Sequence, residues 1–155
     1  MDIRLRPLRD DEFERYLAEQ RVEYVRSLVD EAGMTPETAE EKSRADHASL
    51  FPDGVRQEHQ RISAIEDTET AEAVGRLFWA PRGEERAFIY DLFIDERLRG
   101  RGLGRKALEL IEEEARAERL RGIDLNVWGG NDAARALYRA AGYDERAVFM
   151  SKDLA

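Results

Sequence analysis

The chain has 155 residues, enough for one ordinary domain and too few for two, so a single domain over 1–155 is expected. With 25 basic against 34 acidic residues its formal net charge is −9, the wrong sign for a duplex nucleic-acid binder, and no nucleic-acid partner is expected. Cysteine is absent, which removes disulfide scaffolds, Cys-ligated zinc and any acyl-cysteine intermediate.

The N-terminal run Met1-Asp2-Ile3-Arg4-Leu5-Arg6 has no apolar signal-like core, and runs such as Phe88-Ile89-Tyr90 are far too short to span a bilayer. A cytoplasmic protein without a membrane partner is the default expectation. Ile3 to Leu8 alternates apolar and basic residues and predicts a short strand halted by Pro7. Asp10 and Asp11 then supply the negative charge favoured at a helix start, and Phe13, Leu17, Val22, Val25 and Leu28 recur at helical spacing up to Gly33. A second helix is expected from the cap Thr35 and Pro36 to about Leu50, broken at Phe51-Pro52-Asp53-Gly54.

Strands follow at His59 to Ile65 and Ala73 to Trp79, joined by the acidic turn Glu66 to Glu69, with a further turn at Pro81-Arg82-Gly83. Phe88 to Ile94 is apolar on both alternating faces, which predicts a central strand covered on both sides. After the glycine-rich segment comes a long helix whose face Leu103, Ala107, Leu110, Ile111 and Ala115 is apolar, opposite Glu109, Glu112, Glu113 and Arg116. Ile123 to Trp128 reads as a strand, Asn131 to Gly142 as a short helix, and Arg146 to Leu154 as a last strand. Such interleaving, without repeats or a linker, gives an α/β or α+β class with a mixed sheet.

The run Arg99-Gly100-Arg101-Gly102-Leu103-Gly104-Arg105-Lys106 is the chemically informative one. Each glycine costs up to about 1 kcal/mol in a helical turn, and cations at a helix N-terminus oppose its dipole. Both costs are accounted for when an anion sits there, because glycines let the backbone approach, free N–H groups point outward and the cations neutralise the ligand. A tight turn with solvated arginines is the plain alternative. The spacing fits neither the dinucleotide fingerprint, since Arg105 stands where its third glycine belongs, nor a Walker A loop, which needs Gly-Lys-Ser/Thr.

Arg99-x-x-Gly102-x-Gly104 resembles the pyrophosphate-binding signature of the GNAT superfamily of N-acetyltransferases. An apolar strand ending at Ile94 precedes it and a long amphipathic helix follows. Leu125-Asn126-Val127, Asn131 to Tyr138 and Ala141-Gly142-Tyr143 are similar to that family's other cofactor-side segment, and Met150-x-Lys152-x-Leu154 to its last strand. The similarity covers about residues 86 to 154; one departure is Glu96, where the family often has proline.

The resemblance implies a single GNAT-like domain with a central twisted mixed sheet of six to seven strands, about four flanking helices and splayed central strands. It implies acetyl-CoA as cosubstrate, no metal, and direct transfer to a primary amine, small molecule or peptide, in a ternary complex; a homodimer is left open. Backbone N–H groups around Gly100, Arg101, Gly102, Leu103, Gly104, Arg105 and Lys106 would hold the pyrophosphate, with Arg99 bracing the loop. Backbone of Leu92, Phe93 and Ile94 would pair with the pantetheine arm and supply an oxyanion donor.

By the same resemblance Tyr138 would protonate the departing thiolate, although its spacing alone suits a core tyrosine. Asn131 is a helix cap, a cofactor contact, or both. Asp91, an acid inside an apolar strand, is the candidate general base, the alternative being a local hydrogen bond or exposure to water. Glu23 and Tyr24 are assigned to the acceptor side by location alone. His47 and His59 lack metal-binding spacing, and no Gly-x-Ser-x-Gly occurs. Two rival readings are a non-catalytic acyl-CoA sensor of the same fold and a nucleotide-binding domain of another fold.

Overall fold

In the computed structural model, which describes residues 1–155, Ile3–Pro7 (β1) begins the sheet and Asp10–Asp30 (α1) follows at once. Asp10, Asp11 and Glu12 fill the first turn of α1, where the helix dipole favours acids, and Glu12 accepts the Arg9 amide at 3.0 Å. Pro36–Leu50 (α2) starts as expected, with the Thr35 hydroxyl accepting the Thr38 amide at 3.2 Å. Then come Arg61–Asp67 (β2), Ala73–Arg82 (β3), Arg86–Ile94 (β4), Leu103–Ala117 (α3), Gly122–Leu125 (β5) and Asp132–Ala140 (α4).

The sheet has five strands in the order β1-β2-β3-β4-β5. The first four are antiparallel neighbours, β1 reaching β2 by way of both helices and β2, β3 and β4 following one another through short turns, whereas β4 and β5 run parallel, so a helix must carry the chain back between them. That crossover is α3.

Two apolar clusters cover the sheet. On one face Ile65, Val74, Leu77, Trp79, Ala87 and Ile89 pack on Ala107, Leu108, Ile111 and Ala115 of α3. On the other, Phe13, Tyr16 and Leu17 of α1 meet Phe51, Ile62, Ala64, Phe78 and Ala80. The expected cover on both sides of the central strand is therefore present. Each fully buried large side chain contributes roughly 1.5–3 kcal/mol, so these faces fix where β4 can lie.

The expected six to seven strands become five because Arg146 to Leu154 forms no ladder. No backbone hydrogen bond reaches any residue beyond Tyr143. The segment has the composition of a strand, but a strand also needs an edge within about 4.8 Å. Three smaller corrections follow from neighbours rather than propensity. The strand expected from Ile123 to Trp128 is held only where β4 accompanies it, β3 runs on through Pro81 to Arg82, and Leu108 rather than Leu110 is fully buried on α3.

Candidate functional site

The site forms where β4 and β5 part. They pair only from Arg86 with Gly122 to Ile89 with Leu125, and β4 continues to Ile94 with β3 as its single neighbour. The two strands thus open into a cleft edged by unpaired β4 backbone. At the branch point Phe78 faces Asp91 and Trp79 faces Ile89, which leaves Tyr90 as an extra residue, a β-bulge.

The bulge resets the alternation of side chains. Ile89 packs in the α3-side cluster, Tyr90 stacks on Phe78 at 4.6 Å on the α1 side, and Asp91 also reaches the α1 side to meet Tyr16. Were Tyr90 paired in a regular ladder, a period of two would send Asp91 toward α3.

Backbone direction in the opened part of β4 follows from its neighbours. The Asp95 amide donates to Val74 O at 2.9 Å, so alternation turns the Phe93 amide toward β3 and those of Leu92 and Ile94 toward the cleft. Ile94 O faces the same way and accepts Arg99 Nε at 3.0 Å. Arg99 also lies over the Phe93 ring at 5.2 Å, tying the end of β4 to the loop before α3. Of the three strand residues read from the sequence, Leu92 and Ile94 present amides to the cleft and Phe93 does not.

The loop turns on Gly100 and Gly102, with φ of 76° and 79°, a region that other residues enter only at a cost. Every backbone amide from Gly100 through Arg105 lacks a hydrogen-bond partner within the protein, the first helical bond being Lys106 N to Gly102 O at 3.1 Å. A row of converging donors at the positive end of a helix dipole is the arrangement that binds phosphate oxygens. A Cβ on Gly102 would meet nothing within 4 Å, so the cradle is open on its outer side. Gly104 acts differently: a Cβ there would stand 2.9 Å from Leu137 Cδ2, so its smallness lets α3 and α4 close together.

The sequence reading grouped Lys106 with this cradle, and the structure separates it. Its amide belongs to the helix and its ammonium donates to Met1 O at 2.6 Å, near Asp2 at 3.5 Å. Arg101 and Arg105 remain exposed at the mouth, Arg105 only loosely paired with Glu109 at 3.8 Å.

Across the cleft Asn131 caps α4, its Oδ1 accepting the Ala134 amide at 3.1 Å. Tyr138, one helical turn from Ala134, packs edge-on against Tyr143 at 5.7 Å between ring centres. Burial and the nearby Asp91 charge push the Tyr138 hydroxyl above its ordinary value, so it keeps its proton at neutral pH. Asp91, Tyr138, Leu92, Gly102 and Asn131 all border one broad, open depression rather than a closed pocket. A smaller hollow of 650 Å³, between α1 and residues 54–63, contains none of them.

Asp91 is not alone. Its Oδ2 accepts Arg76 Nε at 2.8 Å and the Tyr16 hydroxyl at 3.1 Å, while Glu23 engages the other end of the Arg76 guanidinium. Burial pushes the Asp91 carboxyl up, and the Arg76 charge and both hydrogen bonds pull it back without cancelling the rise. Sequence reasoning missed Arg76 and Tyr16. A cation standing between Val74 and Leu77 in an apolar strand was the available signal for the first, since a charge so placed needs a buried partner. Glu23, assigned by location, does join the network; Tyr24 instead donates to Asp46 at 2.5 Å. No cluster of three or more His, Asp or Glu side chains suited to a metal ion is present, and no helix is long and apolar enough to cross a membrane.

With this geometry in view, comparison with known proteins is specific. Residues 11–143 match the model of the acetyltransferase (GNAT) family. The uncharacterized N-acetyltransferase YycN of Bacillus subtilis (strain 168) is 32% identical, covering 99% of this chain and 100% of that protein. Its crystal structure superimposes with a TM-score of 0.90 over 99% of both chains. YdgE, an uncharacterized N-acetyltransferase of the same organism, is 26% identical over 99% of each. At 13% identity and a TM-score of 0.61, AAC(6')-Iy, solved with the bisubstrate analog CoA-S-monomethyl-acetylneamine, shares the fold over 99% of this chain and 100% of its own.

Proposed function

Because this chain belongs to the acetyltransferase (GNAT) family, we propose that it transfers an acetyl group from acetyl-CoA directly to a primary amine in a ternary complex. The observation that carries this reading is the unbroken row of unpartnered amides from Gly100 through Arg105 beside the opening between β4 and β5. The amides would take the pyrophosphate oxygens, and Arg101 and Arg105 would offset their charge. Acetyl-CoA supplies the activated thioester; the remaining work falls to side chains and backbone of the chain.

The Leu92 and Ile94 amides would pair with the pantetheine arm, and the Leu92 amide, nearer the bulge, would polarise the thioester carbonyl. A fixed N–H is suited to this because it need not reorient as charge develops on the oxygen. An ammonium has no lone pair, so the acceptor must lose a proton before it attacks. Asp91, with Oδ2 held by Arg76 and Tyr16, would take that proton on its other oxygen. Tyr138, still protonated, would deliver a proton to the departing sulfur. Asn131 would shape the near wall as the cap of α4.

A non-catalytic sensor of the same fold is not favoured, since the full-length relatives are N-acetyltransferases by name. Diaminobutyrate and aminoglycosides are acted on by more distant relatives, as their names say, which supports an amine acceptor as a class. The test is release of free coenzyme A thiol on incubation of the chain with acetyl-CoA and a panel of primary amines. Turnover dependent on one class of amine supports the reading. Tight acetyl-CoA binding with no thiol release across the panel overturns it.

A further inference from the structure

The α1 face of the sheet carries opposite charge at its two ends. At the upper end, where β4 parts from β5, the carboxylates of Asp91 and Glu23 share the single guanidinium of Arg76. At the lower end, where β3 turns into β4, the Arg82 guanidinium lies over the Phe88 ring at 4.0 Å and stands 5.8 Å from the centre of Tyr90. Asp124, whose field Arg82 shares, is occupied by Arg86 through both oxygens at 2.7 Å, and Glu85 faces Arg121 at 3.4 Å. No carboxylate comes within ion-pairing distance of Arg82 itself.

A guanidinium so close to a ring centre rests its flat face on the ring and keeps its N–H groups at the rim, in the fork that matches a planar carboxylate. Between the two ends lies Tyr90, half-buried, with one face stacked on Phe78 at 4.6 Å. Arg82, Phe88, Tyr90 and Asp91 border the same depression. Register sets their spacing, because Phe78 stands opposite Asp91 and Ala80 opposite Phe88, two residues along β3. Two residues of strand span about 7 Å, so the Asp91 carboxyl and the Arg82 fork stand on the order of 7–10 Å apart.

Resting on the acetyl transfer argued above, we propose that Arg82 binds a carboxylate carried by the acceptor, so that the chain prefers amino acids whose reacting amine lies that far from their carboxylate. The amine sits against Asp91, the spacer crosses Tyr90, and the carboxylate enters the fork of Arg82. A diamine of the same length sets its second ammonium against a guanidinium and is disfavoured. The formal charge of −9 opposes an anionic ligand at long range, but exposed charges more than about 8 Å away are largely screened at physiological salt, so the adjacent guanidinium decides.

Three straight-chain acceptors of about six carbons, alike except at the far end, test this: the amino acid, its terminal amide and the diamine. Thiol release from acetyl-CoA should give the amino acid a kcat/KM about 10-fold above that of the amide, through KM, with the diamine lowest. In Arg82→Met, which keeps an apolar stem on Phe88, the acid-to-amide ratio should fall to about one, and Arg82→Lys should restore part of it. A parent chain that favours the amide or the diamine, or a ratio that survives Arg82→Met, overturns the proposal. Calorimetric titration of the same compounds into the chain saturated with coenzyme A reads the contact without turnover. Binding that depends on Arg82, in a chain that releases no thiol, would reject acetyl transfer and uphold the anion site. Absent binding, or equal binding of acid and amide, overturns the site.

Discussion

Asp91 Oδ2 lies 2.8 Å from Arg76 Nε, an ion pair made across adjacent strands by side chains that the bulge at Tyr90 brings to the same face. Both side chains are largely buried, at 14% and 10% exposure. Removing one partner of such a pair strands the other charge. Arg76→Met should therefore destabilise the fold by about 3–5 kcal/mol in urea titrations, because Asp91 and Glu23 would face each other without a cation. A loss below about 1 kcal/mol would show that water already screens the pair.

Asp91→Asn tests the base. It keeps the shape and a hydrogen-bond acceptor but removes the proton acceptor, so kcat/KM for the amine should fall by about 10²-fold with little change in acetyl-CoA affinity. Burial raises the Asp91 carboxyl above the usual aspartate value, and the acidic limb of the parent pH–rate profile should lie correspondingly high. That limb should vanish in the variant. An unchanged profile would remove Asp91 from proton transfer.

Tyr138→Phe should lower kcat by about 10²-fold and leave acetyl-CoA binding nearly unaltered, since the ring still packs against Tyr143 while the proton donor is gone. The stopped-flow release of thiol is the direct readout. Full activity would return Tyr138 to the role of a core side chain.

The glycines of the loop should separate by mechanism. Gly102→Glu puts a side chain at φ 79° and a negative charge at the cradle, and isothermal titration should detect no coenzyme A binding. Gly104→Ala instead sets a Cβ against the tip of the Leu137 side chain, which can give way, and gains up to about 1 kcal/mol of helix propensity, so coenzyme A binding should persist with little net change in stability. Equal effects on binding and stability at both positions would contradict this division.

The Arg6–Glu12 pair, at 2.8 and 2.9 Å, gives a pH dependence of stability. Arg6 and the Arg9 amide pull the Glu12 carboxyl from 4.5 down to about 2. A depressed acid stabilises the folded state above its unfolded value and loses that contribution as pH falls toward the folded one. Thermal melts should therefore show Glu12→Gln less stable than the parent at pH 7, with the gap closing between pH 4.5 and 2. A gap that is constant with pH would rule out the linkage.

The chain's local signals were readable where one stretch decides the outcome. Thr35 before Pro36, and the apolar stripe after Gly102, needed no distant partner to be recognised. What escaped depended on residues far apart in sequence. Lys106 is drawn from the cradle by Met1 and Asp2, about a hundred positions away, and no local pattern records that. The extra residue at Tyr90 is invisible because tyrosine and its neighbours suit a regular strand equally well. Likewise the composition of residues 146–154 speaks for strand structure, whereas the ladder that a strand needs is absent.

The one-residue irregularity in β4 makes the outlook of everything from Asp91 onward a matter of counting. Deleting Tyr90 would set Asp91 directly after Ile89 and restore a regular ladder, with Phe78 still opposite Asp91 and Trp79 opposite Ile89, so the carboxylate would keep its face while the local bend of the strand was lost. A library that shortens this stretch by one position therefore tests the bend itself, apart from the side chains that follow it.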